Sequence, residues 1–227
     1  SRGPLSIYSE VFDEKLEPLV IISDFPLKWT VSGMGKLFDI GINAVIPSQR
    51  AIPSHLLDAK IKNRSRMHYQ MANIEVSRLP GENNWPLLLD PDGFIAEGTG
   101  DNFFLVKNDI LYTPEPRNIL KGISRQYIFD LAKELGIAYY EKNLELYDVI
   151  NADEAFMTGT PFCLMPVTKI NGIKIGDGQR GKITNSLLSK WSNNVGLKIE
   201  DQIKMFNKEM KNHGSTGSTP YRFKDDS

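Results

Sequence analysis

The stretch Glu97-Gly-Thr-Gly-Asp-Asn102 lies between two regions of strand-like sequence, and the fold prediction starts from it. Before this stretch, two apolar segments flank Asp90-Pro-Asp-Gly93, where proline and glycine stand at positions that a hairpin turn favours. After it, two more apolar segments flank Lys107-Asn-Asp109. We therefore predict two β-hairpins joined by a glycine-rich connection.

Helical patterns surround these strands and predict a mixed α/β (α+β) fold. From Ile61 to Leu79, apolar residues recur every three or four positions, as on one face of a helix. The apolar positions of this pattern are Met67, Met71, Ile74 and Leu79. A second helix is predicted over residues 124–135, with Ser124 as its N-cap and Gly136 at its end.

The opening of the chain has too few strands to bury a sheet by itself. Residues 17–23 and 42–47 are apolar and rich in β-branched side chains, which predicts a strand in each. We expect this opening to be the last part of a smaller N-terminal domain. The predicted division is residues 1–52 for that part, 53–59 for an interdomain linker, 60–207 for a larger domain and 208–227 for a polar, mobile tail.

Composition excludes several classes of function. The 227 residues carry a formal net charge of -1, so no basic excess is available to bind nucleic acid or an anionic membrane. The longest apolar run, residues 18–22, is too short to cross a bilayer. Cys163 is the single cysteine, which excludes an intrachain disulfide and favours a reducing, cytoplasmic location. His55, His68 and His213 show no metal-ligand spacing, so no metal site is predicted.

Three segments in order supply complementary chemistry. Lys60-Ile-Lys62-Asn-Arg-Ser-Arg66 offers a candidate Schiff-base amine, and Glu97 offers a carboxylate for a ring nitrogen. Leu120-Lys-Gly-Ile-Ser-Arg125 offers a helix start, where free amides and the helix dipole favour a phosphate. An amine, a carboxylate and a phosphate cradle are the groups that a pyridoxal phosphate site needs from its protein.

From roughly residue 42 to 196 the chain resembles the class IV aminotransferases, the fold-type IV pyridoxal phosphate enzymes. This family includes branched-chain aminotransferases, D-amino acid aminotransferases and aminodeoxychorismate lyase. The segments that carry the resemblance are residues 61–66, 92–102, 111–114, 120–125, 152–160 and 178–184. The resemblance implies a pyridoxal 5'-phosphate enzyme that moves an amino group between an amino acid and a 2-oxo acid, and that forms a homodimer.

Lys60 and Lys62 compete for the position of the cofactor lysine. Counting back from Ala72 and Glu75, as in D-amino acid aminotransferases and the lyase, selects Lys62. Branched-chain aminotransferases carry an Ala-Lys pair that would match Ala59-Lys60, but the later spacing then needs a gap. We predict Lys62 as the catalytic residue and expect it to be buried, since burial lowers the pKa of a lysine and makes it nucleophilic.

The resemblance assigns the other site residues. It implies that Glu97 pairs with the pyridine nitrogen and that Asn102 supports the Glu97 loop. The phosphate is expected at Ile123, Ser124 and Thr160, although Pro161 departs from the commoner Gly-Thr-Ala of the family. With the gap placed before it, Arg66 stands where branched-chain enzymes have a tyrosine near the cofactor's phenolic oxygen. It is a candidate for binding that oxygen or a substrate carboxylate, and the alternative is an ordinary arginine on the helix surface.

The resemblance also implies one residue that the chain does not match. The family's additional phosphate-binding arginine belongs to the N-terminal domain and has no counterpart in the 227 residues. The alternatives to a transferase are a lyase of the aminodeoxychorismate type, which would use the same lysine and cofactor, and a catalytically silent homologue. The presence of both Lys62 and Glu97 favours an enzyme over a silent homologue.

Overall fold

The computed structural model of the chain describes residues 20–212. Its helices are α1 Leu27–Val31, α2 Leu37–Ile40, α3 Met67–Ser77, α4 Ile123–Glu134, α5 Leu146–Ile150, α6 Lys182–Val195 and α7 Ile199–Asn212. Its strands are β1 Ile42–Val45, β2 Asn84–Leu89, β3 Ile95–Gly98, β4 Asn102–Lys107, β5 Ile110–Pro114, β6 Tyr139–Lys142, β7 Glu154–Gly159, β8 Cys163–Ile170 and β9 Ile173–Lys174. A short 3-10 helix spans Pro116–Asn118. The mixture of helices and strands agrees with the predicted α/β class.

The strands form one sheet whose central part closes on itself. Its order is β3-β2-β1-β8-β7-β4-β5-β6, with β9 beside β8. β3 also pairs with β4, through Glu97 opposite Asn102. Six strands therefore form a ring, β1-β2-β3-β4-β7-β8. Because β7 takes one edge of β4, β3 and β5 share the other edge at opposite ends of the strand.

The predicted hairpins are present. β2 pairs antiparallel with β3 around Asp90–Gly93, and β4 pairs antiparallel with β5. The turn after β8 forms at Asn171 and Gly172, which both have positive φ (49° and 82°) as the shortest hairpins require. These strands were predictable because each pair is joined by a short connection with its own turn residues.

The strand β1 occupies a central place in this sheet. It runs parallel to β2 on one side and to β8 on the other. The prediction assigned Ile42–Val45 to a smaller domain, but the structure pairs this strand with the strands of the larger one. The domain boundary at residues 53–59 stays a prediction.

Several local predictions were wrong. Residues 20–23 form no strand, and Ile22 is 92% exposed, because no other strand in the described part of the chain pairs with this segment. Ser124 lies inside α4, and the N-cap is Gly122. The helix α7 continues to Asn212, so residues 208–212 do not belong to a tail. The remainder of the predicted tail, and residues 17–19, lie outside the described residues.

The helix α3 buries a different face from the predicted one. Met67 and Met71 are 70% and 51% exposed, whereas Ala72 and Val76 are buried. Together with Tyr69, the buried residues follow an i, i+3, i+7 spacing, which defines an alternative helix face. This face packs toward β2.

The core is built from aromatic side chains of the central strands. Phe104 of β4 stacks on Phe156 of β7, with ring centroids 5.0 Å apart, and meets the edge of Phe129 from α4. The helices α4 and α6 pack over β7. Between residues 20 and 212 no helix is long and apolar enough to cross a membrane.

Gly41 joins α2 to β1 and provides a test of the packing. It has φ 70° and ψ 177°, and a Cβ there would overlap the Thr168 side chain. Gly136 has a similar φ of 69° but nothing within 4 Å of its Cβ position, which makes it a matched control. We expect Gly136→Ala to lower the unfolding free energy by about 1 kcal/mol and Gly41→Ala by about 2–4 kcal/mol. Urea denaturation measures both, and equal losses would contradict the packing described.

Candidate active site

A cavity of about 220 Å³ opens where β3 meets β4 at the closure of the ring. That volume lies below the usual range for small-ligand pockets, roughly 300–1,000 Å³. Every predicted site residue lies on its wall, and these residues come from four separate segments of the chain. These residues are Lys62, Arg66, Glu97, Asn102, Ile123, Ser124 and Thr160.

Glu97 is the most buried charged group of this wall, with 5% of its surface exposed. Its Oε1 accepts a hydrogen bond from the Tyr69 hydroxyl at 2.8 Å. Its Oε2 accepts from Nδ2 of Asn102 at 3.1 Å and from the backbone N–H of Leu120 at 3.0 Å. Three donors hold the carboxylate in one orientation at the end of β3.

Burial raises the pKa of the Glu97 carboxyl to about 7. The hydrogen bonds to this carboxyl and the positive charges of Arg66 and Lys62 act in the opposite direction, because they favour its ionised form. Asp101 is a second carboxylate beside it; the residue is half-buried, and its Oδ1 is inaccessible to solvent. Burial, and then the charge of Glu97, raise the pKa of Asp101 to about 7 as well. Because Oδ1 of Asp101 has no hydrogen-bond partner within residues 20–212, whereas Glu97 has three donors, the negative charge is favoured on Glu97.

Asn102 links three parts of the wall. Its Nδ2 bonds both Glu97 and the carbonyl of Leu120, at 2.9 Å for the second bond. Its Oδ1 lies against Gly122, where a Cβ would overlap it. The glycine is therefore required for the loop at residues 120–122 to approach β4 closely. These contacts connect the Glu97 carboxylate to the loop at residues 120–122 through one side chain.

The start of α4 forms the opposite end of the wall. Gly122 is the N-cap, and no side chain caps the helix start. Ser124, which we predicted as that cap, is buried at the second helical position and lines the cavity. Free amides and the positive end of the dipole of this 12-residue helix therefore face the cavity with a hydroxyl beside them. Thr160 is exposed, in the turn after β7.

The two competing lysines have different surroundings. Lys60 does not line the cavity: its Nζ donates to the carbonyl of Arg117 at 2.8 Å and lies 3.4 Å from Asp58. Lys62 lies on the cavity wall as an exposed residue, so the expected burial of this lysine is wrong. The residues that selected Lys62 by register have structural roles: Ala72 is buried, and Glu75 accepts two hydrogen bonds from Ser48.

Tyr69 and Asp101 are site residues that sequence reasoning missed. Tyr69 lines the cavity and bonds Glu97, and the guanidinium of Arg66 lies 4.9 Å from its ring centroid. Arg66 also donates to the carbonyl of Thr99. The spacing of Tyr69, Ala72 and Val76 was the available signal for Tyr69, and the methionine pattern obscured it.

The arrangement fits a pyridoxal phosphate ligand. A ring needs a carboxylate fixed at its nitrogen, and Glu97 is fixed by three donors. A phosphate needs free amides and a hydroxyl, and the start of α4 offers both. An amine stands on the same wall at Lys62. No group of three His, Cys, Asp or Glu side chains suited to a metal ion occurs within the described segment.

Comparison with known proteins identifies the family. A family model described as amino-transferase class IV matches residues 1–170, which is more than half of the chain. The chain belongs to the class IV aminotransferases. This finding confirms the resemblance from which the site residues were predicted.

Individual branched-chain aminotransferases are similar to this chain in sequence and in structure. A putative branched-chain-amino-acid aminotransferase of Methanocaldococcus jannaschii is 39% identical over 166 residues, which cover 71% of this chain and 57% of that protein. The crystal structure of the Escherichia coli branched-chain amino acid aminotransferase superposes with a TM-score of 0.65 at 32% identity, over 71% of this chain and 52% of that one. The T.th. branched-chain amino acid aminotransferase with pyridoxamine 5'-phosphate has a TM-score of 0.64 at 25% identity, over 74% and 54%.

These likenesses confirm the predicted fold class. They also show that the chain spans about half the length of the relatives it matches.

The buried carboxylate gives a pH prediction. The pKa of Glu97 is 4.5 for the free group and about 7 in the folded protein, so the folded state binds a proton more tightly between these values. The unfolding free energy of wild type should therefore fall, relative to Glu97→Gln, by about 3 kcal/mol as the pH rises through this window. Urea denaturation across the pH range measures the difference.

Glu75→Gln is the control for this experiment. Hydrogen bonds from Ser48 lower the pKa of Glu75, so its stabilising contribution is lost only as the pH falls below about 4.5. Its difference from wild type should be constant above that pH. A constant difference for Glu97→Gln as well would contradict the burial of an ionisable carboxyl at residue 97.

Proposed function

We propose that the protein is a pyridoxal 5'-phosphate-dependent class IV aminotransferase. It would move an amino group between an amino acid, branched-chain-like or D-configured, and a 2-oxo acid. The observation that carries this proposal is the position of Glu97: a buried carboxylate, fixed by three donors, on the same cavity wall as Lys62 and the start of α4. The family membership and the named relatives support the same reaction.

The proposed roles follow from the surroundings of each residue. When bound, pyridoxal phosphate supplies an aldehyde that joins amines and a ring that accepts electrons from the substrate α-carbon. Lys62 would hold the aldehyde carbon and move the proton at the α-carbon with its Nζ. Glu97 would keep a proton on the ring nitrogen, because an ionised carboxylate favours the protonated form of its partner.

The remaining predicted residues would bind and orient. Backbone N–H groups at Ile123 and Ser124, with the Ser124 and Thr160 hydroxyls, would bind the phosphate. Asn102 would keep Glu97 and the loop at residues 120–122 in register. The remaining guanidinium donors of Arg66 would bind the cofactor's oxygen or a substrate carboxylate.

A branched-chain substrate is favoured over the other substrates of the family. The relative from M. jannaschii and the structures from E. coli and T.th. are all named as branched-chain enzymes. The lyase alternative would release pyruvate without a 2-oxo acid acceptor. Dependence of turnover on an added acceptor separates the two reactions, and a silent homologue would give neither.

We also propose a homodimer in the cytoplasm. Exposed apolar side chains near the cavity support self-association, since apolar surface outside a core is typical of interfaces. These are Leu56, Ile61, Met67, Met71 and Ile123. The single cysteine supports a reducing compartment. The division into an N-terminal part up to residue 52, a linker and a larger domain remains part of this proposal.

The cofactor lysine can be identified directly. After loading with pyridoxal phosphate and reduction with borohydride, peptide mass mapping should find the pyridoxyl group on Lys62. Lys62→Gln should lose the label and Lys60→Gln should keep it, because Nζ of Lys60 is engaged with the Arg117 carbonyl. A label on Lys60 would refute the register while leaving the family assignment intact.

Phosphate binding can be tested at α4 and after β7. Losing one hydrogen bond to a charged group costs roughly 1.5–3 kcal/mol, so Ser124→Ala and Thr160→Ala should each weaken pyridoxal phosphate binding about ten- to a hundredfold. Affinity for pyridoxal, which lacks the phosphate, should not change. Ser186→Ala is the control, since its hydroxyl bonds the Lys182 carbonyl within α6. Unchanged phosphate-dependent affinity in both variants would place the phosphate elsewhere.

A further inference from the structure

We propose that Tyr69 is a positioning residue for the reaction: its hydroxyl holds Oε1 of Glu97 in the orientation that the ring nitrogen needs. The inference rests on the proposed function, because it assigns a role toward the same ligand. Tyr69 lies on α3, seven residues after Lys62, and lines the cavity. It therefore connects the lysine segment to the carboxylate at the end of β3.

The contacts of Glu97 are divided between its two oxygens. Oε2 has two donors, the side chain of Asn102 in β4 and the backbone N–H of Leu120 in the loop before α4. Oε1 has one donor among residues 20–212, the Tyr69 hydroxyl at 2.8 Å. If that hydroxyl is removed, Oε1 is left buried without a partner, and the carboxylate can rotate or take up a proton.

The Tyr69 ring is held independently of its hydroxyl. The Arg66 guanidinium lies 4.9 Å from the ring centroid, and the His68 ring centroid lies 3.9 Å away. Arg66 is the N-cap residue of α3, three residues before Tyr69. Replacement by phenylalanine should keep these ring contacts and remove only the hydrogen bond, which makes Tyr69→Phe a clean test.

The charge on Glu97 depends on the groups around it. Lys62 and Arg66 favour its ionised form, and burial opposes it. Asp101 lies beside it as a second acid, and each negative charge disfavours the other. Removing the Tyr69 hydroxyl takes away one hydrogen bond that favours the ionised form, so Glu97 shifts toward its protonated form. A protonated carboxyl cannot keep a proton on a ring nitrogen. The consequence is measurable as a change in the pH dependence of cofactor binding.

The experiment is a double-mutant cycle on the full chain with Tyr69→Phe and Glu97→Gln. The readouts are the pyridoxal phosphate dissociation constant and its pH dependence, followed by the visible absorbance of the bound cofactor. Tyr69→Phe should weaken binding at pH 7 about tenfold and should move the loss of affinity on acidification to higher pH. In the Glu97→Gln background, Tyr69→Phe should have no further effect, because it acts through Glu97.

Tyr112→Phe, which alters a tyrosine of β5 away from the cavity, is the control and should bind the cofactor as wild type does. The inference would be overturned if Tyr69→Phe bound the cofactor with wild-type affinity and pH dependence while Glu97→Gln bound it more weakly. That result would leave the proposed function standing. Additive effects in the double variant would also overturn it, since Tyr69 would then act on the ligand by itself. Unchanged affinity in Glu97→Gln would instead overturn the proposed function.

Discussion

The pairing of Glu97 with Asn102 is the contact on which the fold and the site both depend. It joins β3 to β4 and so closes the six-stranded ring. The same two side chains are hydrogen-bonded to each other, and Asn102 also binds the loop that leads into α4. This one residue pair therefore closes the sheet, holds the buried carboxylate and brings the start of α4 to the cavity. Disrupting it would affect folding and ligand binding together.

Burying two carboxylates beside each other is costly, and the structure offsets this cost unequally. Glu97 receives three hydrogen bonds, whereas Oδ1 of Asp101 lies without a partner against Gly98, where any Cβ would overlap it. The unequal treatment favours one negative charge at a defined position instead of a charge shared by the pair. The cavity holds a fixed anion at Glu97, two nearby cations at Lys62 and Arg66, and the uncapped start of α4. This charge pattern is complementary to a ligand that carries a phosphate and both positive and negative charges.

Sequence alone predicted the parts of the fold that are encoded locally. The hairpins around Asp90–Gly93 and Lys107-Asn-Asp109 were predicted because turn residues mark them. The complete ring was not predictable in this way, since it also requires β1 to pair with β8 more than 120 residues away, as in Ile42 with Val167. The predicted residues that line the cavity were chosen from motifs. Tyr69 was missed because exposed methionines gave α3 a competing apolar pattern.

The two lysines that the sequence could not separate have distinct surroundings in the structure. The irregular segment before α3 is anchored on both sides of Lys62: Lys60 binds the Arg117 carbonyl, and Arg66 binds the Thr99 carbonyl. These anchors join the segment to the region before α4 and to the glycine-rich stretch after β3. A lysine between two fixed points can reach into the cavity without unfolding its own segment. In the proposed assignment, Lys60 would then help to position Lys62.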